Sequence, residues 1–225
     1  MKILAVDTAL GACSAALLDG EDILAHAFEV MERGHAERLA PMVQEVMSSA
    51  GMAFDAVERL AVTIGPGTFT GQRVGYAFMR GLKLALKRPL VGITTLSAMA
   101  HAAMANAGVQ AGAVLHDARR GEVYFTLVTK NTTQMPDQLI SFDDGVSAIL
   151  KFIESFDGRL VVAGTAAREA VRAVEANRHE ALHSEIVAPD AIWVARLALT
   201  APEPETVPRP LYLRPPDARL PAAAS

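Results

Sequence analysis

One cysteine, one tryptophan and a 5% share of aromatic residues are the scarcities of this 225-residue chain. The lone thiol, Cys13, excludes an intramolecular disulfide and a thiolate metal cluster. Inside an apparent strand it reads as a small buried residue. No apolar run approaches the ~20 residues that span a bilayer, and Asp7 interrupts the N-terminal apolar segment that could otherwise pass for a signal-peptide core. A cytoplasmic protein is therefore expected. The chain also lacks a His-Glu-x-x-His zinc motif, a Gly-x-Ser-x-Gly elbow and a Cys-His pairing with a local signature. His35 and Glu37 diverge on a helix, so the Gly34-His35 entry reads as a helix start rather than an acid-base pair. Excess cationic charge is missing too: 21 Lys and Arg against 25 Asp and Glu give a net charge of −4. That argues against a large autonomous nucleic-acid surface. The nearest approach to one, Arg80, Lys83, Lys87 and Arg88, reads as a solvated helix end favoured by the dipole.

Apolar residues make up 51% of the chain, and the mean hydropathy is +0.24. Such a composition suits one large core or two modest ones. The pattern alternates. Lys2 to Asp7, Ala12 to Leu18 and Ile23 to Phe28 read as three adjacent strands, the second reversing at Asp19-Gly20. From His35 to Ala50, Leu39, Met42, Val43, Val46 and Met47 fall at the spacing of an amphipathic helix, stopped by Gly51. Strand Arg59 to Ile64, a helix from Thr70 to about Leu86 and strand Leu90 to Ile93 follow. A third helix, capped by Thr94 or Thr95, runs through Ala107. The second part repeats this plan in shorter form. Strands Ala113 to His116 and Glu122 to Thr129 form a hairpin, and Asp143 or Asp144 starts a helix to Phe156. Strand Leu160 to Ala163 and helices Ala166 to Asn177 and Ile192 to Thr200 complete it. From Ala201 onward, Pro202, Pro204, Pro208, Pro210, Pro215 and Pro216 forbid regular helix, which predicts an extended tail that Leu211-Tyr212-Leu213 could anchor.

The densest information lies in Gly65-Pro66-Gly67-Thr68-Phe69-Thr70-Gly71-Gln72-Arg73-Val74-Gly75, a glycine-rich turn between a strand and a helix. The glycines permit positive φ and close backbone approach, and Thr70 is positioned to cap the helix. A P-loop needs Lys and then Ser or Thr at the helix start, whereas Gln72-Arg73 follows Gly71 here. A structural turn and an anion site are the two readings of this stretch.

Two βββαβα-like halves, 1–108 and a reduced 109–225, are the plan of the actin, sugar kinase and Hsp70-like (ASKHA) α/β fold. Val6-Asp7-Thr8, Ala12-Cys13-Ser14, Gly65 to Gly75, Pro89 to Ile93, Asp117 to Tyr124 and Tyr212-Leu213-Arg214-Pro215 together resemble the TsaB (YeaZ) family across nearly the whole chain. The resemblance implies a noncatalytic partner of the related enzyme TsaD in making threonylcarbamoyladenosine beside the anticodon of tRNAs that read codons beginning with A. TsaE would join a larger complex, and the chain alone could form a homodimer, with homodimer and monomer both left open. ATP and metal would belong to the partner enzyme, and contact with tRNA is left open.

Departures from TsaD sharpen this expectation. The two histidines that bind the TsaD metal would fall on Thr95 and Met99, neither an imidazole substitute. His101 and His116 lack partner ligands nearby and read as structural. The Ser-Gly-Gly-His turn that TsaD offers to phosphate corresponds here to Asp117-Ala118-Arg119-Arg120-Gly121, where side chains replace open glycines, and Ala163 to Ala167 keeps only Gly164. Asp7 could sit near a metal-bound phosphate, as in superfamily kinases, or close an ordinary turn with Thr8. The resemblance further implies partner binding through the first two helices. Leu39, Met42, Val43, Val46 and Met47 would form either that surface or core. On the second helix Val74, Phe78, Gly81, Leu82 and Ala85 suit the protein's own sheet, leaving Gln72, Arg73, Tyr76, Met79 and Lys83 for the partner. An independent ATPase or kinase using Asp7 is the competing reading, and a self-associating structural protein a third.

Overall fold

A computed structural model describes residues 1–214; the predicted tail positions Pro215 and Pro216 lie outside them. Two five-stranded mixed sheets form the frame. In the first, β1 (Lys2–Asp7), β2 (Ala12–Asp19), β3 (Asp22–Val30), β4 (Arg59–Thr63) and β5 (Leu90–Ile93) lie in the order β3-β2-β1-β4-β5. β2 is antiparallel to β1, pairing Asp7 with Ser14, and β4 and β5 run parallel to β1. In the second, β6 (Ala111–Asp117), β7 (Glu122–Thr129), β8 (Thr133–Ser141), β9 (Leu160–Ala163) and β10 (Leu182–His183) lie in the order β10-β9-β6-β7-β8.

The central strands are apolar on both faces because both faces are covered, and each face has its own cluster. On β1, Leu4 and Val6 face α1 (His35–Ser49) and α2 (Phe69–Leu86), while Ile3 and Ala5 face α6 (Ala191–Thr200). The second sheet buries Leu115 and Phe125 under α4 (Phe142–Ile153) and α5 (Ala167–Ala176), and Val114 and Val128 under α3 (Thr95–Ala107). Cys13 is buried in the first cluster, and desolvation pushes its thiol up to about 11, which keeps it protonated and unreactive.

Two helices cross over. α3, which the sequence order assigns to the first half, packs on the second sheet, and α6, assigned to the second half, packs on the first. They also touch each other between the sheets. A boundary at residue 108 therefore does not separate two cores. Arg59 Nη1 donates to the carbonyls of Ala198 and Ala201 at 2.7 and 2.8 Å, and Ser14 Oγ accepts from the Ala191 amide at 3.0 Å, tying both ends of α6 to the first sheet. The extended plan is thus two sheets, each with outer helices, around an inner layer of α3 and α6.

Several element ends differ from the sequence pattern for identifiable reasons. α2 is capped by Thr68, whose Oγ1 accepts from Gly71 N, and not by Thr70. α4 is capped by Ser141: its Oγ accepts from Asp144 N and donates to the Asp144 carboxylate at 2.7 Å, so Asp144 is the returning partner of the cap rather than the start of the helix. β8 escaped the pattern because Pro136 and five polar residues break the alternation. It survives as an edge strand whose register shifts against β7 between Phe125 and Leu127. β10, two residues long, is too short to leave a periodic signal.

Candidate functional site

The strand-to-helix turn at 65–75 is a packing device. Gly65 has φ 105° and is joined to Pro66 by a cis bond. Thr68 N donates to the Ala9 carbonyl at 2.8 Å. Thr8 Oγ1 donates to the Gly71 carbonyl at 2.7 Å and accepts from Gly75 N at 3.0 Å, so the end of β1 clamps the first turn of α2. A Cβ on Gly67 or Gly71 would run into the carbonyls of Ala9 and Thr8. What faces these glycines is protein carbonyl oxygen, an acceptor, which is the wrong polarity for a phosphate cradle. Gly71→Ala is expected to push α2 off β1 and lower the unfolding free energy by about 1–3 kcal/mol, the range for overpacking a tight contact. Denaturant melts that superimpose on the parent protein would refute this role.

Asp7 closes a turn. Its Oδ1 accepts from Thr63 Oγ1 at 2.5 Å and from Ala9 N at 3.1 Å. The residue is buried, and desolvation pushes its carboxyl up to about 7, against the lowering pull of those two hydrogen bonds. Oδ2 has no partner. No group of three or more His, Cys, Asp or Glu with metal-binding geometry occurs among the described residues. The side chains at the two positions of the TsaD histidines, Thr95 and Met99, are buried, and Met99 belongs to the cluster between α3 and the second sheet. His101 Nδ1 lies 2.8 Å from the Ser97 carbonyl, a contact within one helix turn. Burial pushes His116 down to about 4, so it is neutral at pH 7.

Across the molecule, the β6–β7 hairpin turns through Arg119, Arg120 and Gly121, all at positive φ. The Asp117 carboxylate accepts from Arg119 N at 2.8 Å and steadies this conformation. Both arginines are exposed. Where an open glycine turn would admit a phosphate, this hairpin presents side chains.

The helix faces require a correction. Leu39, Met42, Val43, Val46 and Met47 are all buried in the first cluster, with Met42 at 0% exposure; the α1 stripe is core. On α2, Gln72 and Met79 are buried at 2% and 0%, and Tyr76 is half-buried with its hydroxyl donating to the Pro208 carbonyl at 2.6 Å. Lys83 is half-buried, and Arg73 alone of the ten predicted contact residues is fully on the outside. The outward row of α2 is instead Phe69, Arg73, Ala77, Arg80, Gly81 and Leu84, with Phe69 51% and Leu84 76% exposed. Residues 69–88 hold five cations and no carboxylate. The phase was available in the sequence: Gly71 and Gly75, four apart, are the positions where the backbone must come close, and they set the inward face.

Beside this row, the outward side of α1 is organised by Arg38, which grips Glu45 through two 2.9 Å contacts and Glu29 of β3 at 2.6 Å. That pairing holds the Glu45 carboxyl below its ordinary value. The exposed surface is therefore a cationic and apolar row next to a neutralised acidic one.

The model of the family described as TsaD, tRNA N6-adenosine threonylcarbamoyltransferase, matches residues 27–154. The chain is 42% identical over 125 residues to the tRNA threonylcarbamoyladenosine biosynthesis protein TsaB of Escherichia coli, covering 56% of this chain and 54% of that one. It is 31% identical over 150 residues to TsaB of Bacillus subtilis, 64% of each chain. The chain thus spans little more than half the length of the first of these curated relatives. A solved Pseudomonas aeruginosa protein described as similar to peptidase YEAZ superimposes with a TM-score of 0.74 at 28% identity, over 95% of this chain and 99% of the other. A sugar kinase, the ROK hexokinase of Thermus thermophilus, shares the fold with a TM-score of 0.54 at 15% identity, over 89% of this chain and 98% of the other. The paired sheets, the clamped glycine turn and these likenesses agree: the fold is of the ASKHA type, and the chain belongs to the TsaD family and, within it, to the TsaB/YeaZ group.

Proposed function

We propose that this chain is a noncatalytic accessory subunit in the formation of threonylcarbamoyladenosine in tRNA, and that it supports a TsaD-type enzyme by binding it through the outward face of α2. The observation that carries the reading is the likeness to relatives named TsaB, two of which are 42% and 31% identical over the segments they share with it. The site supports it. The glycine turn is filled by backbone carbonyls, Asp7 is engaged by Thr63 and Ala9, and the opposing hairpin carries arginine side chains. What the surface does offer is an ordered helix face with large apolar side chains and one sign of charge, suited to an apolar partner surface flanked by carboxylates.

Sedimentation velocity of the protein alone and mixed with TsaD from the same source tests the reading. A faster species containing both chains is expected, and Arg80→Glu or Leu84→Asp should weaken it at least tenfold, because a buried unpaired carboxylate at an interface costs more than 1.4 kcal/mol. Both positions are exposed, so the melting midpoints should stay near that of the parent protein. Absence of a mixed species, or undiminished binding by both variants, would overturn it.

A further inference from the structure

Residues 208–214 return from α6 across the first half as an extended strap anchored at Pro208, Leu211, Tyr212 and Arg214. The Pro208 carbonyl accepts from Tyr76 Oη at 2.6 Å, Leu211 N donates to the Ile64 carbonyl at 2.6 Å, and Tyr212 Oη accepts from Arg73 Nε at 3.1 Å. The Arg73 guanidinium lies 3.5 Å from the Phe69 ring centroid, and the rings of Phe69 and Tyr212 are 5.7 Å apart. Two glycines make room for the strap. A Cβ on Gly65 would stand 2.7 Å from the Leu211 carbonyl oxygen, and one on Gly92 2.7 Å from Pro208 Cβ. The strap then reaches the second sheet's hairpin, where Arg214 Nη2 meets Glu122 Oε2 at 2.5 Å and the Arg119 carbonyl at 3.4 Å.

We infer that the strap completes the partner-binding surface: Tyr212, with Phe69 and Arg73, forms its anchoring end, and the Arg214–Glu122 pair holds Tyr212 there. This rests on the reading of α2 as the partner-binding helix. Tyr212 remains 44% exposed and Phe69 51% exposed although each is fixed by the other and by Arg73. Half-open aromatic side chains that are already immobilised lose little conformational entropy on binding, which is the property of interface anchors. They are continuous with the outward row of α2, whose cations lack a neighbouring carboxylate on the helix. A cationic and apolar row of this kind fits an apolar partner surface rimmed by acids, and the occupant assigned to it is the TsaD-type enzyme of the proposed function. Because the Arg214–Glu122 pair lies on the other half of the molecule, the surface is whole only while the strap bridges both halves.

The protein carrying Tyr212→Ala, Arg214→Ala or Glu122→Gln, with Leu84→Asp as a control on α2, distinguishes the possibilities. Affinity for TsaD is measured by titration calorimetry, and strap docking by hydrogen exchange at the Leu211 amide, whose partner is the Ile64 carbonyl. Tyr212→Ala should weaken binding about tenfold with an unchanged melting midpoint. Arg214→Ala and Glu122→Gln should each speed Leu211 exchange severalfold and weaken binding, and bound TsaD should slow that exchange in the parent protein. If Tyr212→Ala binds as the parent does while Leu84→Asp does not, the strap inference fails and the α2 reading stands. If neither weakens binding, both fail. Loss of a homodimer with heteromeric affinity intact would assign Tyr212 to a second copy of the chain, overturning the inference.

Discussion

Met42→Asp is expected to yield no folded monomer. Met42 has no exposed surface and sits among Leu39, Val43, Val46 and the sheet residues Leu4 and Val6. The substitution removes about 2–3 kcal/mol of apolar burial and forces either an unpaired charge or a protonated carboxyl into that space, at a cost of several kcal/mol more. A domain of ordinary stability has about 5–15 kcal/mol in total. Far-ultraviolet circular dichroism and a urea melt would check it: a cooperative transition near the parent midpoint would mean that the α1 stripe is not core. Leu84→Asp places the same charge on a side chain 76% exposed and should change stability by about 0.5 kcal/mol or less. The contrast between these two variants separates what folds the chain from what it can offer to a partner.

Asp7→Asn is expected to flatten the pH dependence of stability. Burial raises the Asp7 carboxyl from the usual 3.8 to about 7. Between those values the folded protein holds a proton that the unfolded chain releases, so stability from this group is present in acid and is lost as pH rises toward 7. At about 1.4 kcal/mol per pH unit the total loss is about 4 kcal/mol. Asp137, raised to about 6 by desolvation, acts in the same direction over a narrower window. His116 opposes both, because a histidine pushed from 6.5 to about 4 loses stability on acidification through that range. The parent curve mixes these terms, and the difference between parent and Asp7→Asn isolates one. Urea unfolding at pH 5 and pH 8 should show the variant gaining about 3 kcal/mol relative to the parent across that interval. Parallel curves would show that the carboxyl ionises without penalty in the fold.

The residues that declared themselves in the sequence are those whose neighbours are local. Ile3 to Val6 and Leu60 to Val62 are short apolar runs within single strands, and Leu39 to Met47 share one helix face; such local patterns persist whatever the tertiary arrangement. The glycine turn was visible as a turn, and its use for close packing follows from Thr8, sixty-odd residues away, which no local pattern reveals. The phase of α2 differs from the sequence pattern because Gly81 and Ala85 look like packing positions by size, yet both are exposed, whereas Gln72 is buried against the Gly65 turn. The proline-rich tail was legible as extended chain. Its path was not, since Tyr212 and Arg214 find Arg73 and Glu122 through contacts spanning 139 and 92 residues.

The exchange of α3 and α6 carries a consequence for how the chain is made. Ile3, Ala5, Ala16, Leu18 and Ala61 form an apolar sheet face that α6 covers with Ala191, Val194, Ala195 and Ala198, and α6 begins at Ala191. On a ribosome adding ~5–20 residues per second, about one hundred residues separate the emergence of β5 from that of α6, an interval of roughly 5–20 s. During it the first sheet stands open on one side. The nascent protein thus carries an uncovered apolar sheet face through that interval, and the ten residues of α6 are the stopper.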